Sequence, residues 1–80
     1  MIAETELVRL YVVPDCPLCA HARAWLEEHN VSYVELDVGG NFGALRAMYG
    51  LTRQQLVPVF EAEGRALVRP TDTELADFLL

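Results

Sequence analysis

Apolar and polar positions along the chain predict seven elements. "LVRLYVV", Leu7 to Val13, is a nearly continuous β-prone run ending at Pro14, the pattern of a central strand buried on both faces and stopped by the proline. From Pro17, "PLCAHARAWLEEHN" has good helix formers, proline at a plausible first helical position, and Ala22, Trp25, Leu26 and His29 on one stripe; Asn30 is a fair terminator. "SYVELDV", Ser32 to Val38, alternates Tyr33, Glu35 and Asp37 with Val34, Leu36 and Val38, the period of a strand with one buried face. Strand, helix and strand in so short a span make a parallel βαβ unit with a right-handed crossover.

After "GGN", the segment "FGALRAMYG" offers Phe42, Leu45, Ala47, Met48 and Tyr49 to a short helix closed by Gly50. "LVPVFEAEGRALVR" predicts a hairpin with strands at Val59 to Ala62 and Ala66 to Arg69 and a turn at Glu63-Gly64. "PTDTELADFLL" predicts a closing amphipathic helix with Thr71 or Asp72 as N-cap and Leu75, Phe78 and Leu79 on one face. The order β-α-β-α-β-β-α implies an α/β fold in which three helices cover both faces of one four-stranded mixed sheet. Neither a repeat nor a linker interrupts it, so a single domain is expected over residues 1–80.

Composition narrows the class. In 80 residues, 52% are hydrophobic and 22% charged, which suits a folded unit with one small core. The apolar runs are far shorter than the roughly 20 residues of a membrane-spanning helix, and the start "MIAETELVRL" carries acids where a signal peptide has basic residues; a cytoplasmic protein is expected, without a membrane partner. A net charge of −6, spread along the chain, argues against nucleic acid as a partner. All six basic residues are arginine, so chemistry needing a lysine amine is excluded.

Against this background the pair in "PDCPLC" stands out, because in a reducing compartment two close cysteines are more often catalytic or metal-binding than structural. At a helix start, unpaired N–H groups and the positive end of the macrodipole stabilise a thiolate at Cys16. Thiols so placed commonly have pKa values of roughly 3.5 to 7.5 instead of about 8.5. Cys19, one turn along, is placed to attack a mixed disulfide formed on Cys16. Asp15 opposes the thiolate, so only moderate activation is expected. A zinc site is not: His21 and His29 share the predicted helix with the cysteines and cannot complete a tetrahedron around one ion. His21 reads as a solvated helix-face residue, His29 as a helix-end residue suited to the dipole, and Trp25 as core.

A strand, "CPLC" opening a helix, and "LVPVF" at a later strand resemble the thioredoxin fold, and specifically the small glutaredoxins, over nearly the whole chain. "LYVVPDCPLC", the "YG" before the valine-proline step and "VRPTDTELADFL" are similar to a glutaredoxin-like bacterial family. The resemblance implies dithiol exchange, with Cys16 as nucleophile and Cys19 as resolver, in cytoplasmic redox homeostasis. It implies a cis Val57–Pro58 bond beside the cysteines, with the Val57 backbone pairing a bound peptide or glutathione as a short added strand.

Departures concern glutathione. The basic residue that glutaredoxins carry three before the first cysteine is Val13 here, and their Gly-Gly pair is replaced by Arg69-Pro70 before Thr71-Asp72. Asp72 matches the family's aspartate and would bind the ligand's amino group or simply serve the helix start. Arg69 stands either as a substitute cation or as a solvated strand-end residue. Arg53, Gln54 and Gln55, in a link longer than usual, read as surface loop.

The expected partners are disulfide-containing proteins or glutathione mixed disulfides, with glutathione or a thioredoxin-reductase-like flavoenzyme as reductant, no tightly bound cofactor and a monomeric state. Two alternatives stay open: a redox-inactive adaptor of the same fold, and an iron–sulfur carrier bridging two chains through Cys16 and glutathione.

Overall fold

The computed structural model describes residues 7–80; the start of the chain, on which the absence of a signal peptide was read, lies outside them. The elements are β1 (Val8–Val12), α1 (Pro17–Glu28), β2 (Tyr33–Asp37), α2 (Phe42–Thr52), β3 (Val59–Ala62), β4 (Arg65–Val68) and α3 (Asp72–Leu79). The sheet order is β2-β1-β3-β4, with β1 parallel to β2 and antiparallel to β3, and β3 antiparallel to β4. The βαβ unit and the hairpin therefore meet along β1 and β3, where Leu10 lies opposite Phe60 and Tyr11 opposite Val59.

Consecutive strand residues point to opposite faces, so burial of neighbours shows whether both faces are covered. Leu10 and Tyr11 on β1, and Val59 and Phe60 on β3, are all buried, so the two central strands are covered on both faces. Arg9 is the exception in β1: it is exposed and pairs with Glu61 across the sheet. The outer strand β2 departs from the predicted alternation, because Val34 is exposed and Leu36 only half-buried. An edge strand has a neighbour on one side only, and its apolar face reaches past the core.

Cys19, Ala22, Trp25 and Leu26 bury the inner stripe of α1, and His29 ends the helix. Asn30 adopts φ 55, and bonds from Asn30 N–H to Glu27 O at 3.2 Å and from Val31 N–H to Leu26 O at 3.0 Å close a Schellman-type turn. In α2 only Ala44 and Met48 are buried; of the other apolar residues of this helix, Phe42 and Tyr49 are exposed. Gly50 does not close this helix, which runs to Thr52 and ends at Arg53 in the left-handed region, φ 58. A glycine inside a helix costs only about 1 kcal/mol, and the left-handed cap is supplied by Arg53, whose N–H donates to the Tyr49 carbonyl at 2.8 Å.

The hairpin turns at Glu63 (φ 53) and Gly64 (φ 78), two left-handed residues in the arrangement that suits strand twist, and β4 begins at Arg65, one residue before the predicted start. Thr71 caps α3: its Oγ1 accepts the Glu74 N–H at 3.1 Å, and Glu74 Oε1 accepts the Thr71 N–H at 2.8 Å. Leu75 and Leu79 are buried, while Phe78 is half-buried under the Arg65 guanidinium. Among the described residues, no helix is long and apolar enough to cross a membrane.

Candidate functional site

The end of β1 feeds a turn at Pro14-Asp15, where Asp15 takes φ 57 and brings the chain round into α1. Pro17 fits the first helical position because its missing N–H would have no helical partner there. Cys16 is thereby left as the N-cap, with extended backbone (φ −110, ψ 113) and a sulfur that accepts the Cys19 N–H at 3.3 Å. The chain places a cysteine where serine or aspartate usually satisfies the orphan donors of a helix start.

Burial divides the two thiols. Cys16 is half-buried and lines an open pocket together with Val13, Pro14, Asp15, Pro17 and Arg23, whereas Cys19 is 1% exposed within the core. Both are free thiols. The Cys16 pKa is held below its ordinary value, chiefly by a hydrogen bond from the Cys19 side chain; partial burial opposes this, and the backbone N–H groups of Cys19 and Leu18 and the charge of Arg69 assist it. Burial pushes Cys19 up to about 11, reinforced by its hydrogen bond to Cys16 and by the Cys16 charge.

Val57 and Pro58 are buried at the start of β3, and the bond between them is cis. The Val57 carbonyl is already engaged: Arg69 Nε donates to it at 2.7 Å, and the Arg69 N–H donates to the Pro58 carbonyl at 3.0 Å. Arg69 is thus no freely solvated strand-end residue, although its side chain is exposed. It connects the residues that enter β3 with the end of β4.

Thr71 and Asp72 lie at the start of α3, and their own chain occupies part of their bonding capacity. The Thr71 N–H and Oγ1 belong to the capping box with Glu74, which settles the N-cap on Thr71. Asp72 Oδ1 is 2.9 Å from His21 Nε2 in an exposed pair, so His21 is a solvated helix-face residue, as expected, and also links α1 to α3. The pair spans 51 positions of sequence and leaves no local pattern by which it could be read.

Arg23 was also unforeseen. It borders the pocket whose wall includes Val13, the place without the expected cation, but it binds Glu35 through Nε at 2.7 Å and Nη2 at 3.1 Å. His29 stacks on Trp25 with ring centroids 4.0 Å apart and donates from Nδ1 to the Trp25 carbonyl at 2.8 Å. Arg53 caps α2, and the Gln54 N–H donates to Thr52 Oγ1 at 3.1 Å, so this part of the long link is a structured helix end. Among the described residues no cluster of three histidine, cysteine or acidic side chains is arranged to hold a metal.

Comparison with known proteins agrees with this geometry. The glutaredoxin family model matches residues 8–67. An uncharacterized glutaredoxin-like 8.6 kDa protein of the rubredoxin operon of Clostridium pasteurianum is 27% identical over 62 residues, covering 78% of this chain and 83% of that one. The global transcriptional regulator Spx of Bacillus subtilis is 50% identical over 32 residues, which make up 40% of this chain but 24% of Spx. The solved structure of the thioredoxin-like protein BC3987 has a TM-score of 0.84 at 25% identity, covering 90% of this chain and 99% of that one. Glutaredoxin from Archaeoglobus fulgidus gives 0.82 at 14% identity, with 92% and 86% covered, a likeness of fold alone. With a family match running from β1 into β4, on a thioredoxin-like sheet whose first helix opens at Cys16-Pro17-Leu18-Cys19, this chain belongs to the glutaredoxin family.

Proposed function

We infer that the protein is a thiol–disulfide oxidoreductase. The observation that carries this reading is the division between a half-buried Cys16 at a helix N-cap, with its pKa lowered, and a buried Cys19 one turn along, with its pKa raised. A nucleophile must be ionised and reachable, and a resolving thiol must stay protonated until needed.

The Cys16 thiolate attacks one sulfur of a substrate disulfide R–S–S–R′, forming Cys16–S–S–R and releasing R′–S⁻. Cys19 then loses its proton and attacks the Cys16 sulfur; R–S⁻ leaves, and the Cys16–Cys19 disulfide holds the oxidation that the substrate has lost. Two of the influences raising Cys19, the hydrogen bond to Cys16 and the Cys16 charge, end when Cys16 becomes part of the mixed disulfide. Cys19 is then easier to ionise at the step that uses it.

The substrates are disulfide-containing proteins or glutathione mixed disulfides, and glutathione or a thioredoxin-reductase-like flavoenzyme returns the pair to the dithiol. Val57 and Pro58 form the wall against which the substrate chain lies, and Asp72, once released from His21, meets a cationic group of the ligand. The protein works as a cytoplasmic monomer with no tightly bound cofactor. The match to Spx, whose name gives a regulatory role, favours a second reading as an adaptor whose thiols do not turn over.

Reduction of a small chromogenic disulfide separates the two readings. Cys16→Ser should abolish turnover; equal rates for the wild type and Cys16→Ser would eliminate the oxidoreductase reading.

A further inference from the structure

A substrate that reaches Cys16 brings the residues beside its own cysteine into the pocket that Cys16 lines. Ala20 and Arg23 follow Cys16 at four and seven positions, the spacing of one helix face, and both line that pocket. The small Ala20 side chain leaves room between the Cys16 sulfur and the Arg23 guanidinium, enough for a flanking side chain of the substrate. What that side chain meets is set by the charges of the wall, which belong to Asp15 and Arg23.

The Arg23 charge is committed. Glu35 accepts from its Nε at 2.7 Å and from its Nη2 at 3.1 Å, a two-point fork in which the carboxylate balances the guanidinium. Asp15 is exposed in the left-handed turn next to Cys16, φ 57, and among the described residues it forms no ion pair. Other acids of the chain are unpaired too; Asp15 is set apart because it shares the pocket wall with the Cys16 sulfur. On the other side of that sulfur the wall is Val13, which is apolar, and the donor at the start of α1 is engaged, the Cys19 N–H lying 3.3 Å from Cys16 Sγ. The local balance of the pocket is therefore negative, in a chain whose net charge of −6 has the same sign.

We propose that Asp15 is a specificity-determining residue for disulfide exchange, selecting substrates whose reacting cysteine is flanked by a cationic side chain over those flanked by carboxylates. The proposal rests on the oxidoreductase reading and narrows its substrate class. Protein disulfides in a basic stretch of sequence are favoured over glutathione, whose carboxylates outnumber its ammonium group.

The test uses two short peptides with blocked termini, each with one cysteine joined by a disulfide to thionitrobenzoate. Lysine stands on both sides of the cysteine in one peptide and glutamate in the other. Second-order rates of thionitrobenzoate release at pH 7 are measured for the reduced protein, and each is divided by the rate with mercaptoethanol to remove the peptide's intrinsic reactivity. The lysine-to-glutamate ratio of these values then reports selection alone, because any change in the reactivity of Cys16 itself cancels. Wild type is compared with Asp15→Asn, which removes the charge and keeps a residue that readily takes the left-handed region, and with Glu28→Gln, which removes an equal charge at the far end of α1.

Wild type should prefer the lysine peptide. Asp15→Asn should lower the ratio by about threefold, an effect that shrinks in about 0.5 M salt, while Glu28→Gln keeps the wild-type ratio. A wild type that reacts with both peptides without preference, or a ratio that Asp15→Asn changes no more than Glu28→Gln does, would overturn the proposal. A wild type no faster than mercaptoethanol with either peptide would instead defeat the oxidoreductase reading on which it rests.

Discussion

Tyr11 is 2% exposed and donates its hydroxyl to Glu61 at 2.6 Å, with Arg9 reaching the same carboxylate at 3.6 Å. Burial, with help from Glu61, raises its pKa to about 12, just as burial raises Cys19 to about 11. The folded state holds both protons more tightly than the unfolded chain does. Their contribution to stability is complete below the ordinary values of 9.0 and 10.0 and is lost as pH rises through the folded ones. Tyr11→Phe removes one of these two groups, so denaturant midpoints of the reduced protein should fall less steeply between pH 10 and 12 in the variant than in wild type; identical slopes would contradict the assignment. Near neutral pH the same substitution should cost about 1–3 kcal/mol, because it leaves Glu61 short of a donor.

Among the elements, α3 shows how one cap joins stability to the site. Thr71 satisfies the helix start through the capping box, and the next residue, Asp72, is thereby held where it meets His21 of α1. Thr71→Ala should lower stability by about 1 kcal/mol in chemical denaturation while leaving the Cys16 alkylation profile in place. Local chemistry of this kind was legible in the sequence, as were the central strand, the hairpin turn at Glu63-Gly64 and the Cys16-to-Cys19 helix start. Each rests on a short-range rule about period, φ or capping.

What escaped was long-range or contextual. Gly50 reads as a helix stop, yet α2 continues to Thr52, and the exposure of Val34 follows from the edge position of β2, which pattern alone does not show. Arg69 on Val57 and His21 on Asp72 depend on how distant elements meet, so no spacing rule announces them.

At the scale of the whole molecule, an acidic chain surrounds the thiol proposed as nucleophile, which must carry negative charge to react. The fold resolves this conflict by placing Cys16 on backbone donors at a helix start, with the Cys19 side chain donating to it, even though the charge of Arg23 is turned to Glu35. On the proposed mechanism, removal of the Cys19 thiol should therefore stop the exchange halfway. The most direct test treats the reduced Cys19→Ser protein with a disulfide substrate at pH 7 and weighs the intact product. The account predicts one substrate half attached through a disulfide at Cys16, accumulating to one per chain and released by added reductant. Prompt modification of wild-type Cys19 in preference to Cys16, or no adduct on Cys19→Ser while a simple thiol reacts under the same conditions, would contradict it.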